Sequence, residues 1–348
     1  MTPLTTLVQE GRHLAPSEVR AAAAWLLDCP GSPEAIQDRV HFLGALARKG
    51  ETPEEIATFA EAFLDRALDP GLLPGDVSGP LIDVCGTGGD RLGLFNVSTT
   101  AMFPLAAAGA AVVKHGNRAV TSKSGGADVL EALGVRIDLP PAQFVDGVKR
   151  TGIGFLFAPL YHPAFKAAIP VRQALAAAGQ RSVFNILGPL LNPVRPPFQL
   201  TGVFAQELTT TYAEILARLG RRCAWAVHGT TRDGRPMDEL STTGPSLISE
   251  TRDGIVRPPR TLAPESLGFD PTSPVDFSGG DASDNARILL SILEGEDRGP
   301  KRDLVLLNAG AALAVCGLAP DLPTGMALAA EKIDDGSALA KLQSLRDS

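Results

Sequence analysis

The sequence predicts an α/β protein in which a small all-helical domain is hinged to a larger α/β domain with a central, mostly parallel sheet flanked by helices. Three observations support this fold class. Apolar residues recur at helical spacing through the N-terminal segment up to Leu68. Beyond Pro80, short apolar segments alternate with alanine-rich helical ones, as expected for parallel strands joined by helices. A stretch rich in proline and glycine, residues 69–80, separates the two parts and is the predicted hinge.

The individual elements follow from local signals. Ser32-Pro33 and Thr52-Pro53 each place a hydroxyl at a helix N-cap and a proline in the first turn, and Glu55 completes a capping box. A loop-rich zone, roughly residues 257–281, precedes the final helices. The predicted strands are Leu81–Val84, Ala111–Lys114, Gly154–Phe157, Leu200–Phe204 and Ala224–Val227.

Composition excludes several classes of protein. The 348 residues carry 32 basic and 39 acidic side chains, a formal charge of -7, so no overall positive field attracts nucleic acid or an anionic membrane. The four cysteines lie far apart without paired metal-ligand spacing, which predicts reduced core thiols. The N-terminus lacks a basic region followed by an apolar one, and no apolar run approaches the roughly 20 residues that span a bilayer. We therefore expect a cytoplasmic protein.

The stretch DVCGTGGD, residues 83–90, places three glycines directly behind a predicted strand. A strand that ends in a glycine-rich loop before a helix presents bare backbone N–H groups, which favours a bound anion such as phosphate. A tight turn that needs positive φ would select the same glycines. Asn96–Thr100 then supplies an amide and several hydroxyls before an alanine-rich stretch, either as helix caps or as further phosphate donors.

Two further segments carry charge that suits phosphate or a metal ion. Lys114–Arg118 ends a predicted strand and residues 121–128 follow, which together form either a binding loop for a multiply charged phosphate or a solvated basic loop. Asp238 and Glu239 are adjacent, and neighbours on a strand point to opposite faces, so both can serve one site only at a loop or a helix start. There they would suit Mg²⁺ bridging to a substrate phosphate, although such a pair alone is more often surface charge.

These segments, in this order, resemble the anthranilate phosphoribosyltransferase family. The matching stretches span nearly the whole chain and are DVCGTGGD, FNVSTT, KHGNRAVTSKSGGADVLEALG, HPAFKAAIPVR, FNILGPLLNP, MDELSTTGPS and GGDASDNARILLSILEGEDRGPKRDLVLLNAGAAL. The resemblance implies transfer of the phosphoribosyl group of 5-phosphoribosyl 1-pyrophosphate (PRPP) to the amine of anthranilate in tryptophan biosynthesis, with two Mg²⁺ ions per subunit and a homodimer paired through the helical parts. It also implies a helical domain of residues 1–76 joined by about 162–190, and a donor-binding α/β domain of residues 77–161 and 191–348.

The resemblance also implies roles for individual residues. Those implied in PRPP binding are Gly86, Gly89, Asp90, Asn96, Val97, Ser98, Thr99, Lys114, His115, Gly116, Asn117, Arg118, Ser122 and Gly126. Those implied in anthranilate binding are Gly86, His115, Asn117 and Arg172, and the implied metal ligands are Ser98, Asp238 and Glu239. The implied catalytic residues are Lys114, which would meet the sugar-phosphate donor, His115, and Arg172, whose guanidinium would grip the substrate carboxylate. His115 is the candidate if the reaction uses a general base, and could equally orient the substrate by hydrogen bonding.

The chain departs from the family pattern at three loop positions. Arg91 stands where glycine is usual, Leu94 where threonine commonly reaches the donor, and Gly126 where serine is usual. Each change removes a polar contact or adds bulk near the expected donor site. His162 and Tyr161 are further candidates for the entry path of the aromatic acid.

Two other functions stay open at this point. A pyrimidine nucleoside phosphorylase shares the general architecture, but it uses inorganic phosphate and does not need the acid pair Asp238 and Glu239. A catalytically inactive relative that binds nucleic acid through the phosphate groove is opposed by the acidic charge of the chain.

Overall fold

A computed structural model of the chain describes residues 3–89, 92–119, 123–271 and 275–348. Its α-helices are α1 (Pro3–Gln9), α2 (Pro16–Leu27), α3 (Pro33–Lys49), α4 (Pro53–Leu64), α5 (Val97–Ala107), α6 (Gly126–Ala132), α7 (Pro141–Thr151), α8 (Ala158–Tyr161), α9 (Ile169–Ala177), α10 (Phe184–Leu187), α11 (Leu208–Arg218), α12 (Ala282–Leu293), α13 (Pro300–Val315), α14 (Leu322–Asp334) and α15 (Ser337–Arg346). Its strands are β1 (Leu81–Gly86), β2 (Ala111–Gly116), β3 (Ile153–Phe157), β4 (Phe198–Gly202), β5 (Cys223–Thr230), β6 (Pro236–Met237), β7 (Ser246–Arg252), β8 (Ile255–Val256) and β9 (Arg260–Leu262). None of these helices is both long and apolar enough to cross a membrane.

The strands form one sheet in the order β3-β2-β1-β4-β5-β7-β8, with β6 paired to β5 and β9 paired to β7. Strands β1 to β5 run parallel to one another, and β6 to β9 pair antiparallel. The chain builds outward from β1 to β3 and then returns to place β4 on the other side of β1, so the strand order reverses between β1 and β4. In open α/β sheets, ligands bind beyond the carboxyl ends of the strands at such a reversal.

The predicted fold class is confirmed by this architecture, and all five predicted strands are present. One of them is displaced: the strand predicted at Leu200–Phe204 runs from Phe198 to Gly202. Its start was obscured because Gln199 is polar, yet Gln199 is fully buried and is satisfied by hydrogen bonds to the Pro189 carbonyl and from Arg221. The short strand β9 lies inside the zone predicted to be loop, since its exposed residues give no apolar signal.

Both predicted helix starts are confirmed. The Ser32 hydroxyl accepts a hydrogen bond from the Ala35 N–H at 3.2 Å. The Thr52 hydroxyl accepts from the Glu55 N–H at 3.1 Å, and the Glu55 carboxylate accepts from the Thr52 N–H at 2.8 Å, which is the predicted capping box. Glu55 is buried and also pairs with Lys49 at 2.7 Å.

The N-terminal helices share one apolar core with residues 168–191, with α11 and with one face of β5. Phe42, Phe59 and Phe63 are fully buried in this core, and the Phe184 ring stacks on Phe63 with 5.9 Å between centroids. A second core, built on the opposite face of the sheet, contains α5, α6 and α12 to α15. The division into two hinged domains, with residues 162–190 joined to the helical part, stays a prediction.

Candidate functional site

The glycine loop lies at the carboxyl end of β1, beside the reversal of strand order. Gly88 and Gly89 have φ of 67° and 87°, a left-handed backbone that glycine adopts without strain. Gly86 is needed for a different reason, because a Cβ there would lie 2.6 Å from Asp238 Oδ2. The Gly88 N–H donates to the same carboxylate oxygen at 2.7 Å. The loop and the acid pair therefore meet, although they are far apart in sequence.

The acid pair lies in a bend after β6. Adjacent residues on a regular strand point to opposite faces, so a bend is one of the places where both carboxylates can serve one site. Met237 pairs with Gly229 of β5, which brings the following residues against the carboxyl edge of the sheet. Gly202 ends β4 and makes room for them, because a Cβ there would lie 1.5 Å from the Asp238 carbonyl oxygen. The position of Asp238 is thus set by strand pairing on one side and by close backbone approach on the other.

Helix α13 holds the other end of this bend, residues 238–240, which we call the acid bend. The Asn308 Oδ1 accepts from the Leu240 N–H at 3.0 Å, and the Asn308 Nδ2 donates to the Leu240 carbonyl at 3.1 Å. Asn308 is buried, so this pair of bonds is shielded from water. Between the two anchors, Glu239 is only 9% exposed, whereas carboxylates mostly lie on the surface.

Lys114 extends from β2 across the end of β1. It is only 4% exposed, and its ammonium donates to the Val84 carbonyl and, at 3.1 Å, to the Ser98 hydroxyl. Ser98 lies in the first turn of α5, where the helix dipole favours negative charge. The structure therefore brings the predicted donor residue Lys114 and the predicted metal ligand Ser98 into direct contact.

The other polar residues at the start of α5 are placed by contacts with neighbouring loops. Within the described residues the Asn96 side chain forms no capping bond to its own helix. Instead it donates to the Ser124 carbonyl at 3.3 Å and accepts from the Asn285 amide at 2.8 Å. Val97 and Thr99 are buried. Asn96 thus joins α5 to the second loop and to α12, which the cap interpretation did not predict.

The second predicted phosphate loop is closed by Asp128, whose carboxylate accepts from the Ala119 and Gly125 N–H groups at 2.9 and 2.8 Å. The Arg118 guanidinium pairs with Glu131 and, at 3.3 Å, with Asp128. Arg118 is therefore held against α6 in this structure. Its predicted contact with PRPP would require it to leave these carboxylates and stays a prediction.

Close packing constrains the glycines of this loop region. A Cβ at Gly116 would lie 2.8 Å from the Phe155 ring, and one at Gly126 would lie 2.9 Å from the Thr99 hydroxyl. Gly126 therefore lets Thr99 approach where a serine would displace it.

Leu94, another departure from the family pattern, forms an isolated bridge with Ser278. Two predicted site residues, Asp90 and Ser122, lie outside the described residues. Arg91, which departs from the family pattern, also lies outside them.

A row of rings connects His115 to Arg172. The centroids are 5.2 Å apart for His115 and His162, 5.5 Å for His162 and Phe165, and 5.9 Å for Phe165 and Phe184. The Arg172 guanidinium carbon lies 5.7 Å from the centroid of the Phe184 ring. Arg172 itself is exposed to solvent. The structure thus places two of the four predicted anthranilate residues, His115 and Arg172, at opposite ends of one wall of rings and not in direct contact. Of the other two, Asn117 is exposed just after β2, and Gly86 lies at the end of β1 beside Asp238.

The two histidines on this wall are buried, and one ring nitrogen of each is unpaired within the described residues. His115 Nε2 and His162 Nδ1 have no hydrogen-bond partner in the parts of the chain that the structure describes. The other nitrogen of His162 bonds to the Leu191 carbonyl at 2.8 Å. Burial lowers the pKa of His115 to about 3, helped by neighbouring His162 and Lys114 and opposed by a hydrogen bond with the Gly188 backbone. His115 is therefore neutral near pH 7.

Comparison with known proteins shows the family to which the chain belongs. Residues 78–339 match the family described as "Glycosyl transferase family, a/b domain". The anthranilate phosphoribosyltransferase of Desulfatibacillum aliphaticivorans is 48% identical over 304 residues, which are 87% of this chain and 86% of that protein. The chain belongs to the anthranilate phosphoribosyltransferase family.

Solved structures of anthranilate phosphoribosyltransferases share the fold. The crystal structure of the Thermus thermophilus protein matches with a TM-score of 0.87 and 38% identity over 99% of both chains. The Saccharomyces cerevisiae protein in complex with PRPP and Mg matches with a TM-score of 0.82 and 27% identity, over 95% of this chain and 91% of that one.

Within this anthranilate phosphoribosyltransferase fold, sequence reasoning missed a buried polar group that supports His115. Asp83 is fully buried in β1 and accepts from the His115 N–H at 3.2 Å and from the Asn192 amide at 2.9 Å. The Asn192 amide also donates to the Val113 carbonyl at 2.7 Å. A charged residue inside an apolar strand, and an asparagine before proline in FNILGPLLNP, were the available signals. They gave no indication that the two would meet.

The pH dependence of stability tests the burial of His115. Because its pKa is lowered in the folded state, the unfolded chain binds a proton between the ordinary histidine pKa near 6.5 and about 3, so stability is lost as pH falls through this window, by up to about 1.4 kcal/mol per pH unit for one group. His115→Asn should reduce that slope. Urea unfolding at pH 7, 6 and 5 measures the slope.

His41→Asn is the matched control, because His41 lies exposed on α3. It should leave the pH dependence of the unfolding free energy at the wild-type value. A wild-type slope in the His115→Asn variant would contradict the buried, neutral state of His115.

Proposed function

We propose that the chain transfers the phosphoribosyl group of PRPP to the amine of anthranilate and releases pyrophosphate, as in tryptophan biosynthesis. The observation that carries the proposal is the 2.7 Å contact of the Gly88 N–H with Asp238 Oδ2, in a chain of this family. A pyrophosphate leaving group needs backbone donors and a cation together. The contact brings the glycine loop and the carboxylates that would hold the cation to one edge of the sheet.

The side chains at this edge fit Mg²⁺. Asp238, Glu239 and Ser98 offer carboxylate and hydroxyl oxygens, the hard donors that Mg²⁺ prefers. Asp238 and Glu239 would hold the ion, and Ser98 would complete its oxygen ligands from the start of α5. When bound, the ion neutralises charge that develops on the departing pyrophosphate. The yeast relative is named as a complex with PRPP and Mg, which supports the same ion here.

The residues of the chain divide the remaining work. Lys114 would place its ammonium beside the pyrophosphate, where charge builds as the anomeric carbon separates from its leaving oxygen. Arg172 would bind the anthranilate carboxylate with paired N–H donors and so direct the amine toward the sugar. With a pKa of about 3, His115 is a weak base, so we assign it orientation of the substrate by hydrogen bonding rather than proton removal.

The finer points are proposals of the same kind. We infer two Mg²⁺ ions per subunit, a homodimer paired through the helical part, and a cytoplasmic location. The remaining predicted residues, Gly89, Gly116, Asn117 and Arg118 among them, are proposed to contact PRPP once a hinge near residues 69–80 closes. Closure would exclude water, which otherwise competes for the activated sugar.

The direct test is a fluorescence assay that follows anthranilate consumption with PRPP and Mg²⁺. We expect turnover that requires all three components. Thymidine or uridine with inorganic phosphate and no metal should release no free base, whereas phosphorolysis without anthranilate turnover would favour the pyrimidine nucleoside phosphorylase. Tight binding of DNA or RNA at ordinary salt, without turnover, would favour the nucleic-acid-binding alternative.

A further inference from the structure

A cavity of about 350 Å³ lies at the edge of the sheet opposite the proposed active site. Arg195 precedes β4 and Arg221 precedes β5, so both lie at the amino ends of parallel strands, whereas the glycine loop lies at the carboxyl ends. The other wall comes from α2 and α4 of the N-terminal helices. The charged residues that line this junction cavity are Arg20, Glu61, Asp65, Arg195, Arg218 and Arg221.

Arg221 forms the buried part of the junction cavity. It is only 3% exposed, and its Nε donates to Gln199 Oε1 at 3.0 Å. Its Nη2 is buried and has no hydrogen-bond partner among the residues described. Burial lowers the pKa of Arg221 to about 10, which still leaves it charged at pH 7. A buried guanidinium with an unused donor is costly unless an acceptor reaches it.

The cavity wall carries more positive than negative charge. Its four arginines face two carboxylates, Glu61 and Asp65. Arg20 pairs with Glu61 at 2.7 Å and with Asp65 at 3.1 Å, and Arg195 pairs with Asp65 at 3.2 Å. Both carboxylates are therefore already paired. Counted over all the lining side chains, the cavity carries a formal excess of two positive charges.

Arg195 is held in this wall at a conformational cost. Its φ is 51°, in the left-handed region that an arginine seldom adopts. Its N–H donates to the Asn192 carbonyl at 3.0 Å, which closes the turn. A glycine would adopt this backbone more readily, so the arginine side chain, rather than the turn, requires explanation.

We propose that the junction cavity binds a small dianion of the phosphate class, either inorganic phosphate or a phosphate monoester, between Arg195, Arg218 and Arg221. A doubly charged anion matches the excess of two positive charges, and its several acceptor oxygens suit converging guanidinium groups. The carbonyl end of α11 opposes an anion here, and the surplus guanidinium charge offsets it. The bound anion would connect the N-terminal helices to the α/β sheet. The site is separate from the proposed transfer reaction.

Isothermal titration of the full chain with inorganic phosphate, without Mg²⁺ and at constant ionic strength, tests the site. The phosphate loops at the other edge could also bind phosphate, so the titration is repeated on Lys114→Gln, which removes a charge there. We expect phosphate still to bind to Lys114→Gln. We expect the affinity for phosphate at the cavity to fall at least about tenfold in Arg195→Gly. Arg195→Gly relieves the left-handed strain, so its Tm without phosphate should not fall.

Arg222→Ala is the matched control, because Arg222 adjoins Arg221 but is exposed and does not line the cavity. It should bind phosphate as the wild type does. Equal phosphate affinity in Arg195→Gly and the wild type, or no binding event in Lys114→Gln, would overturn the proposal. Titration with ribose 5-phosphate separates the two sources: tighter binding than inorganic phosphate identifies a monoester site, and equal or weaker binding identifies a site for free phosphate.

Discussion

Replacement of Asp238 by asparagine is expected to lower kcat/KM by roughly a hundredfold, about 3 kcal/mol of transition-state stabilisation. The substitution removes the carboxylate charge but keeps the side-chain shape, and an amide oxygen can still accept the Gly88 N–H bond. The loss should therefore appear as a higher Mg²⁺ concentration for half-maximal rate, with little change in Tm. Steady-state rates over a range of Mg²⁺ concentrations, with thermal unfolding of the metal-free protein, measure both.

Asp233→Asn supplies the control for this variant. Asp233 lies on the loop before β6, is exposed, and pairs with Arg235 at 2.9 Å, so the same change of charge occurs on a carboxylate outside the predicted metal ligands. We expect wild-type Mg²⁺ dependence in Asp233→Asn. An unchanged Mg²⁺ requirement in Asp238→Asn would remove Asp238 from the metal site and leave the acid bend with a purely structural role.

The elements that sequence reasoning predicted are those whose signals are local. The caps at Ser32 and Thr52 each depend on side chains within three residues of the helix start. The five parallel strands were visible as apolar runs because both faces of the sheet are covered. The glycine loop was predicted from three residues that either adopt positive φ or allow close approach, and the structure shows both uses in one loop.

The contacts that assemble the site could not be predicted in this way, because they join distant segments. Nothing local at Asn308 indicates that it holds the Leu240 backbone beside the acid pair. The same is true of Asp83 and Asn192, which meet beneath His115 only because β4 returns to the other side of β1. Sequence patterns identify the types of residue that could form a site, whereas the strand order decides which of those residues lie at the same edge of the sheet.

The row of rings places Arg172 in a context that its neighbours in the sequence do not show; the sequence pointed to this residue only through the family resemblance. Read along the chain, Arg172 is an exposed residue in the first turns of α9, with no neighbour that suggests a ligand. In the fold its guanidinium lies over Phe184, at one end of an apolar wall whose other end is His115. Under the proposed function, the ring of anthranilate would pack on this wall and its carboxylate would pair with the guanidinium at the rim.

Arg172→Ala should raise the KM for anthranilate roughly a hundredfold, since loss of a bidentate charge-assisted pair is worth about 2–3 kcal/mol. The KM for PRPP and the Mg²⁺ dependence should stay unchanged, because Arg172 contacts the ring wall and not the acid bend. Arg172→Lys keeps the charge but loses the planar fork, so it should restore affinity only in part. Arg181→Ala is the control, because Arg181 also lies over a ring, that of Phe204 at 4.1 Å, outside the row. If Arg172→Ala keeps the wild-type KM for anthranilate, the carboxylate is held elsewhere, and the wall from His115 to Phe184 is a structural core rather than a substrate surface.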